Sequence, residues 1–133
     1  MAFTTYAAFV PTLMDISVSG VTTKLDEPPT QLSGGLPLMY PRLPTGHGEI
    51  VAFDVSSGLL EATCELVIVI EPVLQNLQAV NFAAALSLMD ALDTGLRAGA
   101  DGVGIDSWEM RIVEETIGDT AYWLLITAVE ASG

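Results

Sequence analysis

The sequence predicts a single α+β domain over residues 1–133: a largely antiparallel β-sheet with an N-terminal helix and one long helix packed on one face. Three patterns carry this prediction. Apolar and polar residues alternate from Leu59 to Ile70, as in a half-buried strand. From Asn76 to Gly99, apolar residues recur every three or four positions, as on an amphipathic helix. An alternating segment from Trp108 to Val113 and an apolar segment from Ala121 to Val129 close the chain around a turn at 117–120, which adds a hairpin to the sheet.

The first quarter of the chain predicts one helix and one short strand. Thr4–Ile16 has a helical apolar face, but Pro11 within it lacks the amide proton that a helix interior uses. Two alternatives therefore stay open: a helix that kinks at Pro11, or a helix that starts near Val10 with Pro11 in its first turn. Val18–Leu25 then predicts a short strand that Gly20 interrupts.

Residues 26–49 predict a long loop region rich in proline and glycine. Within it, Leu36–Leu43 is at best an edge strand with Tyr40 and Arg42 as its outward residues, because its prolines cannot donate to a β-ladder. Thr45–Glu49 has the composition of a hairpin tip, and Ile50–Val55 predicts the strand that follows. A turn at 56–58 would pair that strand with the alternating segment from Leu59.

The two longest strand patterns predict central positions in the sheet. Val67 and Val69 make both faces of the Leu59–Ile70 segment apolar until the strand stops at 71–72, and Ala121–Val129 is apolar on both faces too. Gly99 is a plausible C-terminal cap for the long helix. The glycines and aspartates of 98–107 then predict a loop before the hairpin.

The charge balance excludes several function classes. Four Lys and Arg stand against seventeen Asp and Glu, a net charge of −13. So few cations predict no direct binding to nucleic-acid phosphates or to an anionic membrane surface. The start of the sequence lacks the basic residues of a signal peptide, and no apolar run reaches the roughly 18 residues that span a bilayer. We therefore expect a soluble protein.

The residue types that usually carry chemistry are sparse or isolated. His47 has no second histidine with which to hold zinc, and Asp101–Asp106 lacks the oxygen spacing of an EF-hand loop. Glu61 and Glu65 share one strand face without a recognisable partner, and a solvated face is the simpler interpretation. Cys64 predicts a small buried apolar residue, and Asp93–Arg97 predicts a surface ion pair. The sequence thus predicts no catalytic residue, no cofactor and no metal.

A resemblance is carried by four stretches: Leu25–Pro29, the proline-rich Leu36–Pro44, the Ile70–Pro72 entry to the long helix, and the closing Ala121–Leu125. In the order and spacing of these elements the chain resembles the tail terminator (tail completion) proteins of long-tailed bacteriophages. The resemblance implies a small α+β virion protein without catalytic residues. It would form a homo-hexameric ring on the last ring of the tail tube and contact both the tube protein and the head-side connector.

The resemblance also implies where partners and DNA would meet the chain. DNA would pass through the ring without specific binding, and assembly would take place in the host cytoplasm before the protein joins the virion tail. We expect the subunit or partner interface at Asp26, Glu27, Tyr40, Arg42, His47 and Glu49, and channel-facing acids at Glu114, Glu115 and Asp119. Two alternatives remain: a neck protein (stopper or adaptor) at the head–tail junction, and a monomeric cellular binding module of α+β fold.

Overall fold

The computed structural model describes residues 5–29, 32, 34–49, 59–73 and 78–132. Two helices and six strands lie in these segments. In chain order they are α1 (Tyr6–Met14), β1 (Thr23–Lys24), β2 (Leu38–Pro41), β3 (Thr45–Glu49), β4 (Leu59–Pro72), α2 (Gln78–Val103), β5 (Ile105–Ile117) and β6 (Thr120–Ser132).

The six strands form one sheet in the order β1-β2-β4-β6-β5, and β3 pairs with β4 on the same side as β2. β1 and β2 are parallel, and every other pairing among the described strands is antiparallel. β4 and β6 therefore occupy the middle of the sheet, as their two apolar faces predicted. At the far side, β5 pairs with β6 around a turn at Gly118, whose φ of 67° suits glycine.

Both helices pack on one face of the sheet. Phe9 and Leu13 of α1, and Leu92 of α2, are fully buried together with alternate residues of the central strands. The shared core includes Cys64, Leu66, Ile68, Leu88, Leu96, Leu125 and Val129. Burying a side chain of this size contributes about 1.5–3 kcal/mol, so this face supplies a large share of the stability. The α+β prediction is confirmed.

The opposite face carries a second, smaller apolar cluster. Its fully buried members are the intervening residues of the same strands: Leu38, Val67, Val69, Leu124 and Ile126. No helix covers them among the described residues. Partly buried side chains from the segment after β1 (Leu25, Leu32 and Leu36) and from β5 and β6 pack against them instead. The sheet is thus apolar on both sides.

Both helices differ from their predicted bounds. α1 begins at Tyr6, because the hydroxyl oxygen of Thr5 accepts a hydrogen bond from the amide of Ala8 at 3.2 Å and caps the helix. Pro11 lies inside this helix, so the late start near Val10 is wrong. α2 continues past Gly99 to Val103, so the predicted cap is wrong as well.

Gly99 has a packing role that sequence spacing does not reveal. A Cβ atom at this position would lie 2.9 Å from a side-chain carbon of Ile16. The glycine therefore allows the segment after α1 to approach α2 closely, which is compatible with a continuous helix. Because α2 runs to Val103 and β5 begins at Ile105, the predicted loop over 98–107 is wrong too.

The strands of the first half also need correction. Only Thr23–Lys24 of the predicted Val18–Leu25 strand pairs with a neighbour. The predicted edge strand is β2, but it lies between β1 and β4 and is not an edge. Thr45–Glu49 is not a hairpin tip: it is β3, paired with β4 from Leu59 to Thr63. The predicted strand at 50–55 and its turn at 56–58 lie outside the described residues.

Gly46 of β3 lies against the first residue of α1. A Cβ atom on Gly46 would lie 2.6 Å from the ring of Tyr6. The aromatic ring therefore occupies the space that a side chain would fill. Glycine at this position leaves room for that ring, whereas sequence reasoning interpreted it as a turn signal.

Candidate functional site

A network of four charged side chains lies on the sheet face opposite the helices. Arg42, in the segment after β2, pairs with Glu65 of β4 at 3.1 Å and with Glu115 of β5 at 3.0 Å. Arg111 of β5 pairs with the other carboxylate oxygen of Glu65, also at 3.0 Å. We call these four residues the ion network. It alternates two cations with two anions, so it carries no net charge at neutral pH.

The ion network joins strands that are not neighbours. Arg42 follows β2, and Glu115 belongs to β5, so β4 and β6 lie between them. The register puts Glu109 of β5 level with Arg42, so in a flat sheet the backbone of Glu115 would lie about 14 Å across the strands and about 20 Å along them, beyond the reach of the two side chains. Because the two side chains nevertheless meet at 3.0 Å, this face of the sheet must curve toward itself. The ion network thus links distant strands on the sheet face that carries the second apolar cluster.

The members of the ion network shift one another's pKa values. Burial acts to raise the pKa of Glu65, but hydrogen bonds from Arg42 and Arg111 outweigh it and hold that pKa below its ordinary value. Burial acts to lower the pKa of Arg42, while hydrogen bonds to Glu65 and Glu115 raise it overall. Both groups stay ionised near neutral pH. The arrangement suits cross-linking of strands better than proton transfer.

Two neighbours of Arg42 complete the site. Burial raises the pKa of Tyr40, although the charge of Arg42 acts in the opposite direction. The thiol of Cys64 donates to the carbonyl oxygen of Arg42 at 3.4 Å, and burial raises its pKa to about 11. Cys64 is therefore a thiol at neutral pH and packs in the core, which confirms the structural interpretation.

A second polar cluster joins α2 to β5. The guanidinium of Arg97 donates to Asp93 at 2.8 Å, and the indole N–H of Trp108 donates to the other oxygen of Asp93 at 3.0 Å. Arg97 also lies 5.2 Å from the centre of the Trp108 ring, within cation–π range. The predicted Asp93–Arg97 surface pair is confirmed. The contribution of Trp108 comes from another element and was not predicted.

The fourth cation of the chain is also engaged. The ammonium of Lys24 donates to the carbonyl oxygens of Met14, at 3.1 Å, and Ile16. These carbonyls lie at the end of α1 and just beyond it, where the helix leaves acceptors unsatisfied. All four Lys and Arg of the sequence therefore contact groups within the same chain.

The predicted interface residues occupy different environments. Asp26 and Glu27 are exposed just after β1, and His47 is exposed on β3, where Glu49 is the last residue. Tyr40 is only 6% exposed and belongs to the second apolar cluster, so its predicted outward position on an edge strand is wrong. Arg42 is half-buried in the ion network.

The predicted channel acids do not share one surface. Glu114 and Glu115 are adjacent on β5 and therefore project from opposite faces of the sheet. Glu115 belongs to the ion network, while Asp119 lies in the exposed turn between β5 and β6. Sequence reasoning missed Glu65 as a partner of Arg42, and Arg111 as the second partner of Glu65. Spacing gives one usable signal, because Arg111 and Glu115 lie four apart on one strand and therefore share a face.

No helix in the described part of the chain is long and apolar enough to cross a membrane. Within the same part, His, Cys, Asp and Glu side chains form no group of three or more that could hold a metal ion. The sequence matches no protein-family model and no curated protein.

Proposed function

We propose that this chain is a structural virion protein of the tail terminator type, which forms a ring on the tail tube of a phage and joins it to the head-side connector. One observation supports the ring in particular: the sheet has two open edges of different kinds. β5 offers a long edge of 13 residues that pairs on one side only among the described strands. The other side ends in two short strands, β1 and β3.

Unlike edges favour head-to-tail assembly. An edge strand presents unpaired N–H and C=O groups that can pair with a strand of another copy. When the two contacting edges differ, the contact is heterologous, and a chain of such contacts closes into a ring if the rotation between copies allows it. The charged side chains of Glu109 and Glu114 on β5, and the prolines of the opposite edge, would limit unspecific pairing of the free subunit.

The charge of the protein is compatible with passage of DNA. A net charge of −13 per copy would be multiplied around a ring, and phosphates would be repelled from its inner wall. Glu114 and Asp119 are exposed at the end of the sheet where β5 turns into β6 and are available for such a wall. The head–tail neck protein and the monomeric binding module are the competing proposals.

Cross-linking at the two edges tests the ring directly. In a Cys64→Ser background, Glu109→Cys on β5 and Thr45→Cys on β3 place one thiol at each edge, since both native side chains are exposed. With a short bis-maleimide reagent, the double variant should give a ladder that ends in one closed species of six copies. Each single variant should give no covalent dimer, because unlike edges meet in a head-to-tail ring.

The outcomes separate the competing proposals. A covalent dimer from Glu109→Cys alone would show two β5 edges meeting back to back and would overturn the ring. Native mass spectrometry with and without millimolar Mg²⁺ provides the parallel measurement, since the cation screens repulsion between acidic copies. A monomer under both conditions, with no ladder, would favour the monomeric binding module. A ring that binds head-side proteins and not tube protein would favour the neck protein.

A further inference from the structure

Exposed apolar side chains gather on the side of the molecule formed by α2 and β5. Among the described residues, five large apolar side chains are exposed, and three of them lie here. Phe82 is 67% exposed, Leu86 47% and Ile112 36%. Phe82 and Leu86 are one turn apart on α2, so they form one ridge. We call these three residues the α2–β5 patch.

The Asp93–Trp108 hydrogen bond fixes where Ile112 lies relative to that ridge. Because Trp108, just after Gly104, contacts Asp93, about three turns before it, β5 runs back along α2. From Trp108 to Ile112 the strand advances about 13 Å, the length of about nine helical residues. Trp108 lies against the Asp93–Arg97 pair of α2. Nine residues before the middle of that pair is Leu86, so Ile112 lies level with Leu86. The three exposed side chains therefore belong to one surface and are not scattered.

Acidic residues flank the α2–β5 patch. Asp90 follows Leu86 by one helical turn, and Glu114 follows Ile112 on the same face of β5; both are exposed. The four cations of the chain make their contacts elsewhere, in the ion network, at Asp93 and at the end of α1. The surface is thus an apolar ridge with a negative border, within a chain of net charge −13.

We propose that the α2–β5 patch binds a basic amphipathic helix of a partner protein. A helix fits because apolar residues four apart form the ridge that a second helix accepts in its groove. Lysine or arginine side chains on that helix would reach Asp90 and Glu114, and the charge complementarity would speed association and fix orientation. A second copy fits less well, because it brings another 13 negative charges and its own cations are engaged. The proposal does not depend on ring formation.

The test uses a fluorescein-labelled synthetic helix with leucine on one face and lysine on the other, titrated with the full chain by fluorescence anisotropy. Phe82→Ser/Leu86→Ser should raise the Kd about tenfold or more, since two apolar anchors are lost. Leu43→Ser is the matched control, because Leu43 is 89% exposed and lies outside the patch. Its Kd should stay within twofold of that of the wild type.

A second pair of variants tests whether the two acidic residues beside the patch attract the helix, or whether the net negative charge of the protein does. Asp90→Asn/Glu114→Gln should raise the Kd about threefold, whereas Asp15→Asn/Glu61→Gln removes two exposed charges elsewhere and should leave the Kd unchanged. Circular dichroism checks that each variant is folded. Equal affinities across all variants would show general attraction to an acidic protein and overturn the proposal. So would a wild-type oligomer that Phe82→Ser/Leu86→Ser dissociates, because a second copy would then cover the patch.

Discussion

The two faces of the sheet are closed by different physical means. On one face, α1 and α2 bury side chains such as Leu92 and Leu66, and apolar contact is the main force between the layers, with the Asp93–Trp108 hydrogen bond beside it. On the other face, a short segment after β1 covers part of the second apolar cluster, and the ion network spans the rest between Arg42 and Glu115. The same strands serve both faces, with alternate residues assigned to each.

The two faces therefore differ in the force that determines their geometry: apolar packing on one and ion pairing on the other. Apolar burial is non-directional, so the helix-covered face depends on volume and close packing. Ion pairs that are partly exposed contribute little stability, typically about 0–1 kcal/mol each, but their geometry is directional. The ion network therefore matters more for how the sheet curves than for how stable the protein is.

The largest expected effect comes from the helix-covered face. Leu92→Ala removes a fully buried side chain between α2 and the sheet and should lower the free energy of unfolding by about 2–5 kcal/mol. Leu38→Ala makes the same deletion in the second apolar cluster, where a segment covers the sheet in place of a helix and can collapse more readily. Urea denaturation should rank Leu92→Ala as the more destabilising. The reverse order would show that the second face carries the main core.

A steric change on α2 should have the next largest effect. A Cβ atom on Gly95 would overlap the backbone carbonyl of Ser17, so Gly95→Ala should destabilise by about 1–3 kcal/mol. Gly102→Ala on the same helix is the control, because a Cβ atom there meets nothing within 4 Å. It should be neutral or stabilise by up to about 1 kcal/mol. Thermal unfolding of both variants measures the difference, and equal shifts would contradict close packing at Gly95.

The smallest effect should come from the ion network and should depend on pH. Because the folded state holds the pKa of Glu65 below its ordinary value of 4.5, the stabilisation is complete above that value. It is lost as the pH falls through the lowered folded-state pKa. Glu65→Gln should lower the free energy of unfolding at pH 7 by about 0.5–1 kcal/mol, a figure reduced for solvent screening.

Unfolding measured at decreasing pH separates the contribution of the Glu65 ion pairs to stability from that of the other acidic residues. The stability of Glu65→Gln should converge on that of the wild type as the pH falls from 4.5 through the lowered folded-state pKa of Glu65, because the folded wild-type carboxylate is then protonated too. Glu61→Gln is the control, since Glu61 lies on the same face of β4 and is exposed. A constant difference between Glu65→Gln and the wild type down to acidic pH would show that the ion pairs do not contribute.

The sequence determined the parts of the fold that depend on periodicity. Alternation through Leu66 and Ile68 predicted β4, and the helical spacing of Leu88 and Leu92 predicted α2. Errors came where tertiary contact decides a local outcome. Gly99 looks like a cap and Gly46 looks like a turn residue, but both provide space for a side chain from another element.

The candidate site was harder to predict for a related reason. The ion network joins residues from three parts of the chain, and only the strand order brings Arg42 to Glu115. Periodicity assigns a residue to a face of its own strand but does not say which strands are neighbours. The α2–β5 patch has the same origin, because the sequence does not reveal which apolar residues of α2 the sheet leaves uncovered.

The position of β4 in the chain has a consequence for synthesis. β4 is complete before α2, β5 and β6 have been made, yet β6 is its longest partner. β5 and β6 can zip together locally around Gly118, whereas β4 and β6 meet only after a much larger loop closes. Until the last strand leaves the ribosome, one edge of β4 keeps its backbone N–H and C=O groups unpaired. Chaperone dependence during translation should therefore end only when β6 has emerged.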